Sequence, residues 1–153
     1  MRYLKGTLRF SESRDIPLLR RVLDSRFVTH SQLYSYMRLS CREWDRQVFN
    51  WRVRRLVRHG LLLKRAVTFV GTEAVYSIDN PGVLALETHG GLPFAAWTTN
   101  ERSYSETHIP HCLELNNIEL AMHRTGVQFD WVPETQLRCF GARENLPTCT
   151  LQN

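Results

Sequence analysis

Residues 27–65 read FVTHSQLYSYMRLSCREWDRQVFNWRVRRLVRHGLLLKR, and the fold is decided by how this stretch is punctuated. Thr29 or Ser31 stands where a helix can be capped, and Leu33, Tyr36 and Met37 then recur at i, i+3, i+4 spacing. A brief turn through Leu39 and Ser40 leads into a longer helix, predicted from Arg42 to Arg58. Its expected apolar face is Trp44, Val48, Trp51 or Phe49, then Leu56 and Val57. Gly60 follows at the position where a left-handed residue ends a helix. What comes after has strand character. Leu61, Leu62 and Leu63 run on through Ala66 to Phe69, Gly71-Thr72-Glu73 make a turn, and Ala74 to Ile78 return, which predicts a hairpin.

Working outward, Asp15 to Arg26 predicts a leading helix, with Asp15 as cap, Pro17 in the first turn and Ile16, Leu19 and Leu23 on one side. Helix, short helix, turn, long basic helix and hairpin together give the order of a winged helix-turn-helix. The expectation is therefore an α+β fold, with a winged helix-turn-helix over residues 1–88. Within it, a short helix over Val83 to Thr88 follows the punctuation Asn80-Pro81-Gly82. Residues 89–106 read as a linker or surface loop, and residues 107–153 as a small α/β part for interaction or dimerisation. That part is expected to hold a helix from His111 to Arg124, ended by Gly126, and a strand in which Val127, Phe129 and Trp131 alternate with polar residues. Trp44, Trp51, Trp97 and Trp131 are expected in a core or an interface.

Charge divides the chain. Residues 1–66 carry 16 Lys/Arg against 5 Asp/Glu, a net of +11, whereas residues 67–153 carry 4 against 10, a net of −6. A basic first half of this kind fits a polyanion, and the expected partner is double-stranded DNA. Arg42, Arg46, Gln47 and Asn50, in the first turns of the expected reading helix, are the candidates for base edges. Arginine pairs bidentately with guanine, and Gln or Asn with adenine. Arg38, Arg52, Arg54, Arg55, Arg58, Lys64 and Arg65 are the candidates for phosphate contacts. A solvated or protein-binding face is the competing account of these arginines. The acidic half offers a surface for a homodimer, and a host or plasmid protein is a further candidate partner.

Several function classes find no footing. No apolar run approaches the roughly 18 residues of a membrane span, and the opening MRYLKGTLRFSESR has no apolar signal core. Cys41, Cys112, Cys139 and Cys149 are widely spaced, so reduced thiols in a cytoplasmic protein are expected. His108, His111 and Cys112 lie close together in sequence, yet no Cys-x-x-Cys pair accompanies them, so no metal site and no cofactor are expected. Glu114, Glu119, Asp130 and Glu134 can be drawn as a cation-binding carboxylate cluster; solvated acids are the plainer account. With no phosphate-binding Gly loop and no serine elbow, a non-enzymatic protein is expected, ahead of a small metal-dependent nuclease centred on Glu134.

Five segments carry a family resemblance: FVTHSQLYSYM (27–37), RRLVRHGLLLKR (54–65), YSIDNPGVLAL (76–86), HCLELNNIELAM (111–122) and DWVPETQLR (130–138). Together they resemble the replication-relaxation proteins of plasmids and mobile elements. The first three resemble that family's winged helix. The last two are similar to its histidine-opened helix with an Asn/Asp pair and its Trp, Glu, Leu-Arg strand. The resemblance implies a DNA-binding role in replication, mobilisation or local transcription control. Family members continue toward a nuclease-like sheet with a Pro-Asp step, whereas this chain has Leu146-Pro147-Thr148 after Glu134. The expectation is thus a truncated relative that keeps the DNA-binding part.

Overall fold

The computed structural model describes residues 8–67, 71, 73–91 and 106–136. Among them the chain is a mixed α+β protein. The order is α1 (Asp15–Ser25), β1 (Val28–Thr29), α2 (His30–Cys41), α3 (Arg46–Arg58), β2 (Leu62–Ala66), β3 (Ala74–Ile78), α4 (Asn80–His89) and α5 (Ile109–Arg124). The three strands form an antiparallel sheet in the order β1-β3-β2. β2 and β3 are the two arms of the expected hairpin, registered by Leu62 opposite Ile78 and Ala66 opposite Ala74. Phe69 and Thr72, part of the expected strand and turn, lie outside the described residues, as does most of the expected linker.

Local chemistry explains the helix ends. Thr29 caps α2 through a reciprocal capping box with Gln32: its hydroxyl accepts from the Gln32 N–H, and the Gln32 side chain accepts from the Thr29 N–H. Gly60 takes φ +76°, the left-handed turn foreseen for the end of α3. The start of α3 corrects the sequence expectation. The helix begins at Arg46, because Asp45 is its N-cap and its carboxylate accepts from the N–H groups of Gln47 and Val48. Arg42 is not on α3. It ends α2 in a left-handed conformation (φ +52°), its N–H bonded to the Met37 carbonyl.

The main core joins α1, α2 and α3 to one face of the sheet, through Leu18, Leu19, Val22, Leu33, Met37, Phe49, Leu56 and Leu62, each 1% exposed or less. A second apolar cluster, with Phe27, Val67, Val75, Ile109, Cys112 and Leu113, attaches α5 to the other face. Polar contacts extend this join. Asn116 donates to the Phe27 carbonyl (2.8 Å), Gln32 donates to the Leu113 carbonyl (2.9 Å), and the Tyr36 hydroxyl donates to Glu119 (2.8 Å). The inner face of α5 is therefore spent on α1, α2 and β1. Ile118 and Met122 remain exposed on its outer side.

Two more expectations are corrected here. Residues 127–133 form no strand, so the C-terminal part shows no β structure of its own among the described residues. Val127 and Val132 are exposed, the Phe129 ring sits tilted against His123 (4.7 Å), and no neighbouring strand among the described residues offers a ladder. Trp44 and Trp51 are not core residues: they are 65% and 56% exposed. Trp97 lies outside the described residues.

Candidate nucleic-acid interface

Which side of α3 each residue occupies follows from the 100° step of the helix. Phe49, Arg52, Val53 and Leu56 form the buried stripe. Gln47, Trp51, Arg54 and Arg58 fall opposite it, and all four are exposed. Arg46 and Asn50 lie between these two sides. They border a groove of about 490 Å³ that runs from α3 to β3 and takes in His30, Lys64 and Tyr76.

Asn50 is held at one end. His30 Nε2 lies 2.7 Å from Asn50 Oδ1, and His30 Nδ1 lies 3.0 Å from the Tyr76 hydroxyl. Because Oδ1 is an acceptor, Nε2 carries the proton and Nδ1 accepts from Tyr76. With its oxygen engaged by His30, Asn50 offers principally its amide N–H donors, not the donor–acceptor pair that the expected adenine pairing uses. Burial and the nearby Glu73 carboxylate both push the Tyr76 phenol up, which keeps it a neutral donor. The sequence reading missed His30 and Tyr76.

The expected phosphate contacts separate into two groups. Arg52 is buried: its guanidinium donates to Asp15 Oδ1 (2.9 Å), and Nε lies 3.5 Å from Glu43. Arg55 pairs with the other oxygen of Asp15 and donates to the Arg9 carbonyl (3.2 Å). Asp15 is itself fully buried and also accepts from the Ser11 N–H (2.8 Å). These two arginines anchor α3 to α1, so they are corrected from phosphate candidates to structural residues. One signal was legible: Arg52 stands three residues after Phe49 and four before Leu56, on the apolar stripe.

Arg38, Arg42, Arg46, Arg54, Arg58, Lys64 and Arg65 are all exposed, and no ion pair among the described residues takes them up. The sheet divides the last two. Lys64 pairs in register with Tyr76 and lines the α3 groove. Arg65 is on the opposite face, over the Phe27 ring (5.8 Å), away from α3.

Of the acidic candidates, Glu114 and Asp130 are exposed, whereas Glu119 and Glu134 face arginines. Glu119 is 3% exposed, accepts two bonds from Arg21 (3.0 and 3.2 Å) and one from Tyr36. Burial, reinforced by Glu119, pushes the Tyr36 phenol far up. Glu134 lies 3.8 Å from Arg26 and 3.4 Å from His111. Cys112 is buried in the second cluster, whereas Cys139 and Cys149 fall outside the described residues. Among the described residues no three His, Cys, Asp or Glu side chains gather as metal ligands, and no helix is long and apolar enough to cross a membrane. No family model, curated protein or solved structure matches the chain.

Proposed function

We propose that this chain binds duplex DNA through a winged helix-turn-helix, with α3 as the reading helix and the β2–β3 hairpin as the wing. The observation that carries this reading is the sorting of the arginines on α3. Arg52 and Arg55 are consumed by buried Asp15 and Glu43, while Arg46, Arg54 and Arg58 stay exposed without a carboxylate partner among the described residues. Keeping several cations unpaired on one helix favours an anionic partner. The order of helices and the β1-β3-β2 sheet support the same reading.

A 13-residue helix is about 20 Å long, and the major groove is about 12 Å wide, so α3 is of a size to lie in it. Gln47, Asn50 and Arg54 then face base edges from successive turns, Arg46 flanks them, and Arg58 and Lys64 meet phosphates. This reading departs from the sequence expectation for two residues: Arg54 shares the exposed side with Gln47, and Arg42 approaches only from the end of α2. The protein is read as a non-enzymatic, sequence-selective regulator of replication, mobilisation or transcription, in keeping with its resemblance to the replication-relaxation proteins. The outer face of α5, with Ile118 and Met122, is the surface this reading leaves for a second copy.

The test is a mobility-shift titration of duplex DNA at low salt. Binding that weakens with salt, and weakens further in Arg54→Ala/Arg58→Ala, supports the proposal. An unshifted duplex at 50 mM salt, with protein shown to be folded, refutes it.

A further inference from the structure

Where α2 hands over to α3, aromatic rings and guanidinium groups alternate. The Arg38 guanidinium carbon lies 4.9 Å from the centre of the Trp44 ring and 5.8 Å from that of Tyr34. The Arg46 guanidinium lies 5.2 Å from the Tyr34 ring. The Tyr34 hydroxyl donates to the Trp44 carbonyl (3.0 Å), fixing α2 against the turn that carries the indole. Tyr34 is also packed on buried Phe49, with ring centres 5.0 Å apart, so the ladder is built on the core. Its outer member is not. Trp44 is 65% exposed, although the chain buries Phe49 completely and leaves Tyr36 only 3% exposed.

A large ring left mostly in water, with Arg38 against it, offers its exposed surface for stacking. Arg38 borders it, and Arg46 lies over the neighbouring Tyr34 ring; both arginines are exposed and without a carboxylate partner among the described residues. Stacking faces interleaved with cations suit unpaired nucleotides: the base lies on the ring and the phosphates meet the guanidinium groups. An acidic peptide would answer the charge but leave the planar face unfilled. The position also matters, since Arg46 opens α3 and Trp44 precedes its cap, so the ladder adjoins the entrance of the reading helix.

We infer that Trp44, with Arg38 and Arg46, holds an unpaired base beside the duplex engaged by α3, so that the preferred DNA has a single-stranded overhang or an opened step. This rests on the duplex-binding reading, and the experiment separates the two. Fluorescence anisotropy is measured with a blunt duplex, the same duplex carrying a five-nucleotide overhang, and the free strand. The proteins are wild type, Trp44→Ala and Trp44→Phe, with circular dichroism confirming that each is folded.

The expected result is about tenfold tighter binding of the overhang DNA than of the blunt duplex, in line with stacking of one or two bases. Trp44→Ala abolishes that gain and changes blunt binding less than twofold; Trp44→Phe keeps most of it. Equal affinity of wild type for blunt and overhang DNA overturns the inference and leaves the duplex reading standing. An equal loss on both DNAs in Trp44→Ala also overturns it. Binding of the overhang and free strand through Trp44, with none of the blunt duplex, supports stacking of an unpaired base on Trp44 but overturns its placement beside a duplex and sinks the duplex reading.

Discussion

Arg52 and Arg54 are two residues apart on one helix, and the structure gives them opposite surroundings. The Arg52 side chain is 10% exposed, and its partner Asp15 is 0% exposed. Arg52→Ala removes the 2.9 Å bond to Asp15 and the 3.5 Å approach to Glu43, leaving two buried carboxylates with fewer cations. Removing one member of a buried pair costs about 3–5 kcal/mol. Asp15 retains Arg55 and the Ser11 N–H, so a value near the lower end, about 3 kcal/mol, is expected. At about 2–4 °C per kcal/mol for a chain of this size, the melting temperature falls by roughly 6–12 °C. Arg54→Ala removes an exposed side chain and is expected to change stability by less than about 0.5 kcal/mol. On DNA the order reverses. Arg54→Ala weakens binding; if Arg54 also neutralises a phosphate, the slope of log K against log salt falls by about 0.9. Arg52→Ala, assayed well below its melting temperature, keeps the wild-type slope. Urea unfolding and anisotropy titrations across a salt series measure both effects. A wild-type unfolding midpoint for Arg52→Ala would refute the buried-pair argument. Unchanged DNA affinity in Arg54→Ala would refute the assignment of α3's exposed side.

Further outcomes follow from other sites. Gln47→Ala and His30→Ala are expected to alter the ranking of DNA sequences more than the mean affinity, as read by selection from a random library; an unchanged ranking in both counts against base contact through this side of α3. Gly82→Ala places a Cβ 2.3 Å from the Leu61 carbonyl oxygen and 2.7 Å from Ile78 Cγ1, so it should push α4 off the sheet and lower the melting temperature, whereas an unaffected melt would show the contact to be compliant. Arg42→Gly removes the left-handed penalty at the end of α2 and should stabilise the protein by roughly 1 kcal/mol in urea unfolding. Burial raises the Asp24 carboxyl above its ordinary value of 3.8, against the lowering pull of Arg20 and Arg21. The folded state therefore favours the protonated form, and stability from this group is lost as pH rises from 3.8 through the raised pKa. Asp24→Asn should unfold at higher urea than wild type at pH 7, and the difference should shrink toward acid pH; a difference independent of pH contradicts that linkage.

The elements legible in the sequence were those with local causes. Thr29 and Gly60 define their segments through capping and left-handed geometry, and Ala74 to Ile78 through β-branched and aromatic strand formers. The start of α3 was misplaced because Arg42 and Glu43 continue a helical composition, while Asp45 as N-cap competes with nothing nearby in sequence. The strand expected at Val127 to Trp131 had the right alternation but no strand to pair with among the described residues, and alternation alone cannot supply a partner. Indoles are expected in a core or an interface because of their hydrophobicity. Trp44 and Trp51 instead fall outside the stripe set by Phe49, Val53 and Leu56.

What composition could not show is which charges cancel. The division into a +11 half and a −6 half read as two surfaces with separate tasks. In the fold, acids from the second half cross over: Glu119 takes Arg21, and Glu134 approaches Arg26, both on the α1 side. Asp15 and Glu43, from the basic half itself, take Arg52, Arg55 and Arg14. Neutralisation is thus concentrated around α1, where α5 and α3 pack against it. Arg38, Arg46, Arg54, Arg58 and Lys64 are left on the α2 end, α3 and the near face of β2. The acidic half therefore sharpens the basic one, by removing cations from the side away from α3. Glu119→Gln accordingly should cost stability through Arg21 and Tyr36, yet leave the salt slope of DNA binding unchanged, since no α3 cation loses a partner. A changed slope at constant fold would mean that the positive field acts as a whole and that the α3 arginines are not its functional unit.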